Sequence, residues 1–80
     1  MNMKEIAKAL ADIEKDCSYL NAYSQTEIQY EKFYERVKGV MTITGEKSLK
    51  KIEEDCRYGN SFIEFEKFYE RVKGIIILMS

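Results

Sequence analysis

The segment Glu-Lys-Phe-Tyr-Glu-Arg-Val-Lys-Gly occurs twice in this chain, at residues 31–39 and again at 66–74. Nine consecutive identities within 80 residues lie far beyond chance, so the sequence reads as a tandem duplication. The match extends upstream. At an offset of 35, Tyr30, Gln29, Ile28 and Thr26 align with Phe65, Glu64, Ile63 and Ser61. At an offset of 39, Ile13, Glu14, Asp16, Cys17 and Tyr19 align with Ile52, Glu53, Asp55, Cys56 and Tyr58. The first copy therefore carries four extra residues between Tyr19 and Thr26. Four residues make about one helical turn, enough to lengthen a helix without rotating its apolar face. Periods of this length are typical of helix-pair repeats. The Trp, Leu-Gly and Pro signature of tetratricopeptide repeats is missing, since the chain has neither Pro nor Trp.

Apolar periodicity makes the fold expectation concrete. Asn2 and Glu5 are placed as an N-cap and its partner, and Ile6, Leu10, Ile13, Cys17 and Leu20 then fall on one helical face. Thr26-Glu27-Ile28-Gln29 has the residues of a capping box, and so does Ser61-Phe62-Ile63-Glu64. Tyr30, Phe33, Tyr34, Val37, Val40 and Met41 share one face of a further helix; Phe65, Phe68, Tyr69, Val72, Ile75 and Ile76 repeat it. Leu49, Ile52 and Cys56 supply the face of another, and Gly59-Asn60 marks its stop. The expectation is an all-α single domain over residues 1–80, with internal repeats at about 2–41 and 42–80. Helices are expected near 4–20, 27–38, 46–58 and 62–73. Each repeat forms an αα-hairpin, and the two close into a compact four-helix domain with pseudo-twofold symmetry. Gly39 and Gly74 leave one alternative open. The β-rich segments 40–44 and 75–79 that follow them are either helix running through the glycine or short strands, which would make the fold α+β.

A chain of this size hides only about 60% of its unfolded surface, so its core is thin and needs large side chains. Its hydrophobic content of 45% and charged content of 34% fit a folded domain rather than a disordered one. A net charge of −1 steers the chain to neither nucleic acid nor an anionic membrane. The first ten residues show no apolar signal core, and the apolar run at 75–79 is too short to span a bilayer. Cys17 and Cys56 occupy equivalent repeat positions and read as small buried residues rather than a disulfide or metal pair. With no signal segment and only two cysteines, the expected location is cytoplasmic.

The chain contains no histidine, which removes the commonest general base and metal ligand. No Gly-rich phosphate loop, nucleophile elbow or metal-binding helix motif occurs either. Neither an enzyme, a cofactor nor a metal is expected. Glu31 with Glu35, and Glu66 with Glu70, read as solvated helix faces carrying pairs such as Lys32–Glu35 and Glu35–Lys38.

What remains is the charged side of the nonamer, which core packing alone does not require to recur. Elsewhere the copies have diverged, as at Ala9 against Ser48, Lys15 against Glu54 and Ser18 against Arg57. The recurrence reflects either a binding surface or a recent duplication with patchy drift. As a surface it offers Lys32, Arg36 and Lys38 in one copy and Lys67, Arg71 and Lys73 in the other, with Tyr19, Tyr23 and Tyr58 at helix ends. Tyr and Arg are favoured at interfaces. The expected function is non-catalytic binding of another protein, of the kind by which immunity proteins, antitoxins and phage anti-defence proteins inhibit or sequester a larger enzyme. The alternative is an anionic ligand, a nucleotide or nucleic acid, held by the twin Lys/Arg pairs. The apolar segment 75–79 adds the expectation of a homodimer.

Overall fold

Ile6, Ala7, Leu10, Ile13 and Cys17 line the buried face of the first helix, α1 (Met3–Cys17). Asn2 and Glu5 close the expected capping box at its start, with side-chain to backbone bonds of 2.9 and 3.1 Å. The chain then forms an antiparallel hairpin, β1 (Ser18–Leu20) and β2 (Thr26–Ile28), before entering α2 (Tyr30–Thr44). The same order follows in the second half: α3 (Lys47–Cys56), β3 (Arg57–Tyr58), β4 (Phe62–Ile63) and α4 (Phe65–Met79). These elements come from a computed structural model that describes residues 1–59 and 62–80. The turn expected at Gly59-Asn60 and the cap expected at Ser61 fall partly outside the described residues.

The fold is mostly helical with four helices, as expected, but it is not all-α. Each helix pair is joined by a hairpin rather than a short turn. Residues 18–20 and 57–58, expected as last helical turns, are strands. Thr26 and Ile28, both β-branched, join the ladder opposite Leu20 and Ser18, and Ile28 is buried. The capping box expected at Thr26 therefore does not form. Helix α2 starts later, at Tyr30, with no side-chain cap from Gln29. Each junction is held by one further backbone bond, Gln29 N–H to the Cys17 carbonyl and Glu64 N–H to the Cys56 carbonyl, both 2.9 Å. The four extra residues lengthen the first hairpin rather than a helix. Asn21 organises its loop, its side-chain oxygen accepting from the Tyr23 and Gln25 amides at 2.8 and 3.0 Å.

Segments 40–44 and 75–79 are helical, which rules out the strands of the α+β alternative. Both helices run through their glycines without a break. Helix α2 stops instead at Gly45, whose φ of 66° is the left-handed conformation glycine tolerates. Its N–H closes onto the Met41 carbonyl at 2.8 Å.

One core draws on all four helices. Leu10, Cys17, Phe33, Val37, Leu49, Cys56, Phe68 and Val72 are its fully buried side chains. Helix α1 packs against α2 and α4, α3 packs chiefly on α4, and α2 crosses α4. That crossing is aromatic. Tyr30 meets Tyr69 at a centroid distance of 5.9 Å, and Tyr34 meets Phe65 at 5.7 Å. Between them Phe33 meets Phe68 at 6.2 Å and Tyr69 at 5.1 Å, and Tyr34 meets Phe68 at 5.0 Å. All are edge-to-face, the favoured arrangement for aromatic quadrupoles. Low numbers on one helix meet high numbers on the other, so α2 and α4 run in opposite senses. Among the described residues no helix is long and apolar enough to cross a membrane.

Candidate interaction surface

The basic residues of the nonamer lie on the outer faces of α2 and α4, and most are engaged locally. Arg36 Nη1 reaches Asp16 Oδ2 at 3.2 Å, and Arg71 Nη2 reaches Asp55 Oδ2 at 3.3 Å. The same bridge thus ties the end of the first helix to the second in each half. Lys67 lies 3.6 Å from Glu64 and donates to the Asp55 carbonyl at 3.4 Å. Lys32 has Gln29 where Lys67 has Glu64, and makes no ion pair among the described residues. Lys38 sits over the Tyr34 ring at 5.2 Å and Lys73 over the Tyr69 ring at 4.8 Å. Lys73 also approaches Glu70 at 3.8 Å. Much of the nonamer's charged identity therefore has an intramolecular role. The sequence concealed this because Asp16 and Asp55 are distant in the chain from the arginines they meet.

Tyr19 and Tyr58, expected at helix ends, are on strands, and Tyr23 is in the loop between β1 and β2. The Tyr19 hydroxyl donates to Glu27 across the hairpin at 2.9 Å, and Asn21 donates to the other carboxylate oxygen at 2.8 Å. That bond and the Glu27 charge hold the Tyr19 phenol above its ordinary pKa. Tyr58 stacks on its cross-strand partner Phe62, with centroids 5.9 Å apart. Leu20, Tyr23 and Phe62 are more exposed than either, at 69%, 84% and 65%. Leu20 and Phe62 escaped the sequence reading because a helical wheel turns them differently from a strand.

Two grooves flank the α2–α4 crossing. The first, about 560 Å³, is lined by Glu27, Ile28, Tyr30, Glu66, Tyr69 and Lys73. The second, about 310 Å³, is lined by Glu31, Tyr34, Lys38, Arg57, Ile63 and Phe65. Apart from Glu27 and Arg57, these residues align with one another at the offset of 35. Each groove joins the hairpin of one half to the nonamer of the other.

The chain matches no known protein family, no curated protein and no solved structure. Its surface chemistry is therefore the sole guide to its role. Among the described residues, no group of three or more His, Cys, Asp or Glu side chains is placed to hold a metal. Cys17 and Cys56 are free and fully buried, and burial pushes both thiols up from their ordinary pKa. A protonated buried thiol is a poor nucleophile and a poor metal ligand.

Proposed function

We propose that the chain is a non-catalytic protein-binding module. In this reading it is a tandem duplication whose halves are related by an approximate twofold axis, and its two hairpins present side chains to a partner protein. The observation that carries it is the exposure of Leu20, Tyr23, Tyr58 and Phe62 on those hairpins. Exposed aromatic side chains grouped on short two-stranded sheets, whose outer edges are unpaired, suit protein interfaces. The exchange of ring partners across the α2–α4 crossing supports the twofold relation. The anionic-ligand reading is second, because Arg36, Arg71, Lys67 and Lys73 already face local carboxylates.

Affinity capture from host lysate tests this, with crosslinking and mass spectrometry as readout. The wild type should retain a protein that the Tyr23→Ser/Leu20→Ser and Tyr58→Ser/Phe62→Ser variants lose. Retention should survive high salt, since apolar contacts are not screened. Equal retention by both hairpin variants would remove the reading. Recovery of a polyphosphate or nucleic acid that is released steeply by salt would replace it with the anionic alternative.

Homodimerisation belongs to the same proposal. Ile77 and Leu78 on α4, and Ile43 on α2, are 73%, 81% and 80% exposed, and Ile43 aligns with Leu78. These side chains are the apolar surface available to a second copy.

A further inference from the structure

The second groove is lined by a guanidinium and the first by none, and neither is lined by the carboxylates Glu53 or Glu14. Arg57 donates from Nε to Glu53 Oε2 at 2.9 Å, while its Nη2 lies 2.8 Å from the same oxygen. Nη2 also donates to the Tyr34 hydroxyl at 3.4 Å, so the guanidinium bridges a carboxylate and a phenol. At the first groove the aligned phenol is Tyr69 and the aligned carboxylate is Glu14, but Ser18 stands where Arg57 does. The Ser18 hydroxyl turns back to its own helix, 2.7 Å from the Glu14 carbonyl and 3.2 Å from Glu14 Oε2. It reaches no further, and the first groove is the larger of the two.

We propose that the first groove receives an arginine side chain from the partner protein, its guanidinium bridging Glu14 and Tyr69 as Arg57 bridges Glu53 and Tyr34. This rests on the protein-binding reading above and supplies the chemistry of one contact. Charge agrees with it. Glu27 and Glu66 outweigh Lys73 along the first groove, whereas in the second Glu31 and Glu35 are balanced by Lys38 and Arg57. Lys73 over the Tyr69 ring is no obstacle, because Lys38 occupies the same place over Tyr34 beside Arg57. Burial raises the Tyr69 phenol's pKa, helped by the Glu14 charge and opposed by Lys73. Arginine suits the seat better than lysine because its planar fork spans two acceptors at once.

The test titrates the intact chain with Nα-acetyl-arginine amide, and with the lysine analogue, following tyrosine ring signals by NMR. Saturable shifts at Tyr69 and Tyr30, with Kd on the order of millimolar for so small a probe, are expected for arginine. Lysine should bind several-fold more weakly. Ser18→Arg places the guanidinium in the chain itself, and should abolish the shifts while bringing the Tyr69 signals towards those of Tyr34. Glu14→Gln should weaken binding about tenfold. Circular dichroism of both variants separates these effects from loss of fold. Absence of saturable shifts, equal shifts at Tyr34, or undiminished binding by folded Ser18→Arg would overturn the proposal. The titration needs no partner, so its failure leaves the hairpin capture result standing, and the reverse also holds.

Discussion

Phe33 and Phe68 meet edge to face with ring centroids 6.2 Å apart, and each is the third residue of the repeated nonamer. Both are fully buried at the α2–α4 crossing. Phe33→Ala or Phe68→Ala should each cost about 3–5 kcal/mol, from lost transfer energy and the cavity left behind. In a domain this small that approaches the whole stability, so urea denaturation should show little or no folded baseline. Phe33→Leu should retain a cooperative transition. A shift below about 1 kcal/mol for either alanine variant would mean that the rings do not form the centre of the core.

Gly39 and Gly74 are helical and exposed, and a Cβ added at either would meet nothing within 4 Å. Gly39→Ala and Gly74→Ala should therefore each stabilise by about 0.5–1 kcal/mol, through reduced backbone entropy in the unfolded chain. For a chain of this length that is a rise in Tm of about 2–8 °C each. Gly45→Ala should do the opposite, because its φ of 66° strains any residue with a Cβ. Thermal melts of the three variants check the signs.

Thr26 separates strand from cap. An N-cap threonine replaced by alanine costs about 1 kcal/mol. An exposed strand threonine makes no such bond, so Thr26→Ala should cost less than about 0.5 kcal/mol in urea denaturation. Asn2→Ala, which removes an observed cap, should cost the larger amount.

The thiols set an alkaline limit. Burial raises the Cys17 and Cys56 pKa values, opposed by the charges of Lys32 and Arg36 in one half and Lys67 and Arg71 in the other. A raised folded pKa gives stability that is complete below the unfolded value, about 8.5, and is lost as pH rises through the folded value. Stability should thus be insensitive to these thiols at neutral pH and fall above about pH 8.5. The half-buried Tyr69 phenol, also raised, adds to the fall above about pH 10. Cys17→Ala/Cys56→Ala should flatten the slope between those values, which denaturation at a series of pH values measures.

Association is read by light scattering. The wild type at micromolar concentration should scatter as a dimer, and Ile77→Lys/Leu78→Lys as a monomer of 9.5 kDa. A wild-type monomer would remove the dimer proposal.

The helical stripes were legible because their period is local: every residue assigned to the faces of α2 and α4 is buried or half-buried. Continuation through Gly39 and Gly74 stays open in the sequence, because Val40, Met41, Ile75 and Ile76 keep the phase while Ile77 and Leu78 fall off it. The hairpins were not. Their strands span only two or three residues, too few to show alternation, and Thr26 with Gln29 imitates a cap. The candidate surface was half legible. Tyr19 and Tyr58 are exposed as expected, but Arg36 and Arg71 are tethers, because ion pairing across 20 and 16 residues leaves no local trace.

The first hairpin exceeds the second by an even number of residues, and the parity matters. Each strand of the first hairpin has three residues against two in the second, and the other two extra residues lie between the strands. Cross-strand pairs add residues two at a time, one on each strand, so the pairing beneath is undisturbed. Ser18 faces Ile28 and Arg57 faces Ile63 in matching register despite the unequal lengths. A single residue added within one strand alone would instead slip that register. Hairpin reach is thus a discrete variable that can change in whole steps while the helices beneath it remain unaltered, so one scaffold accommodates fingers of different length.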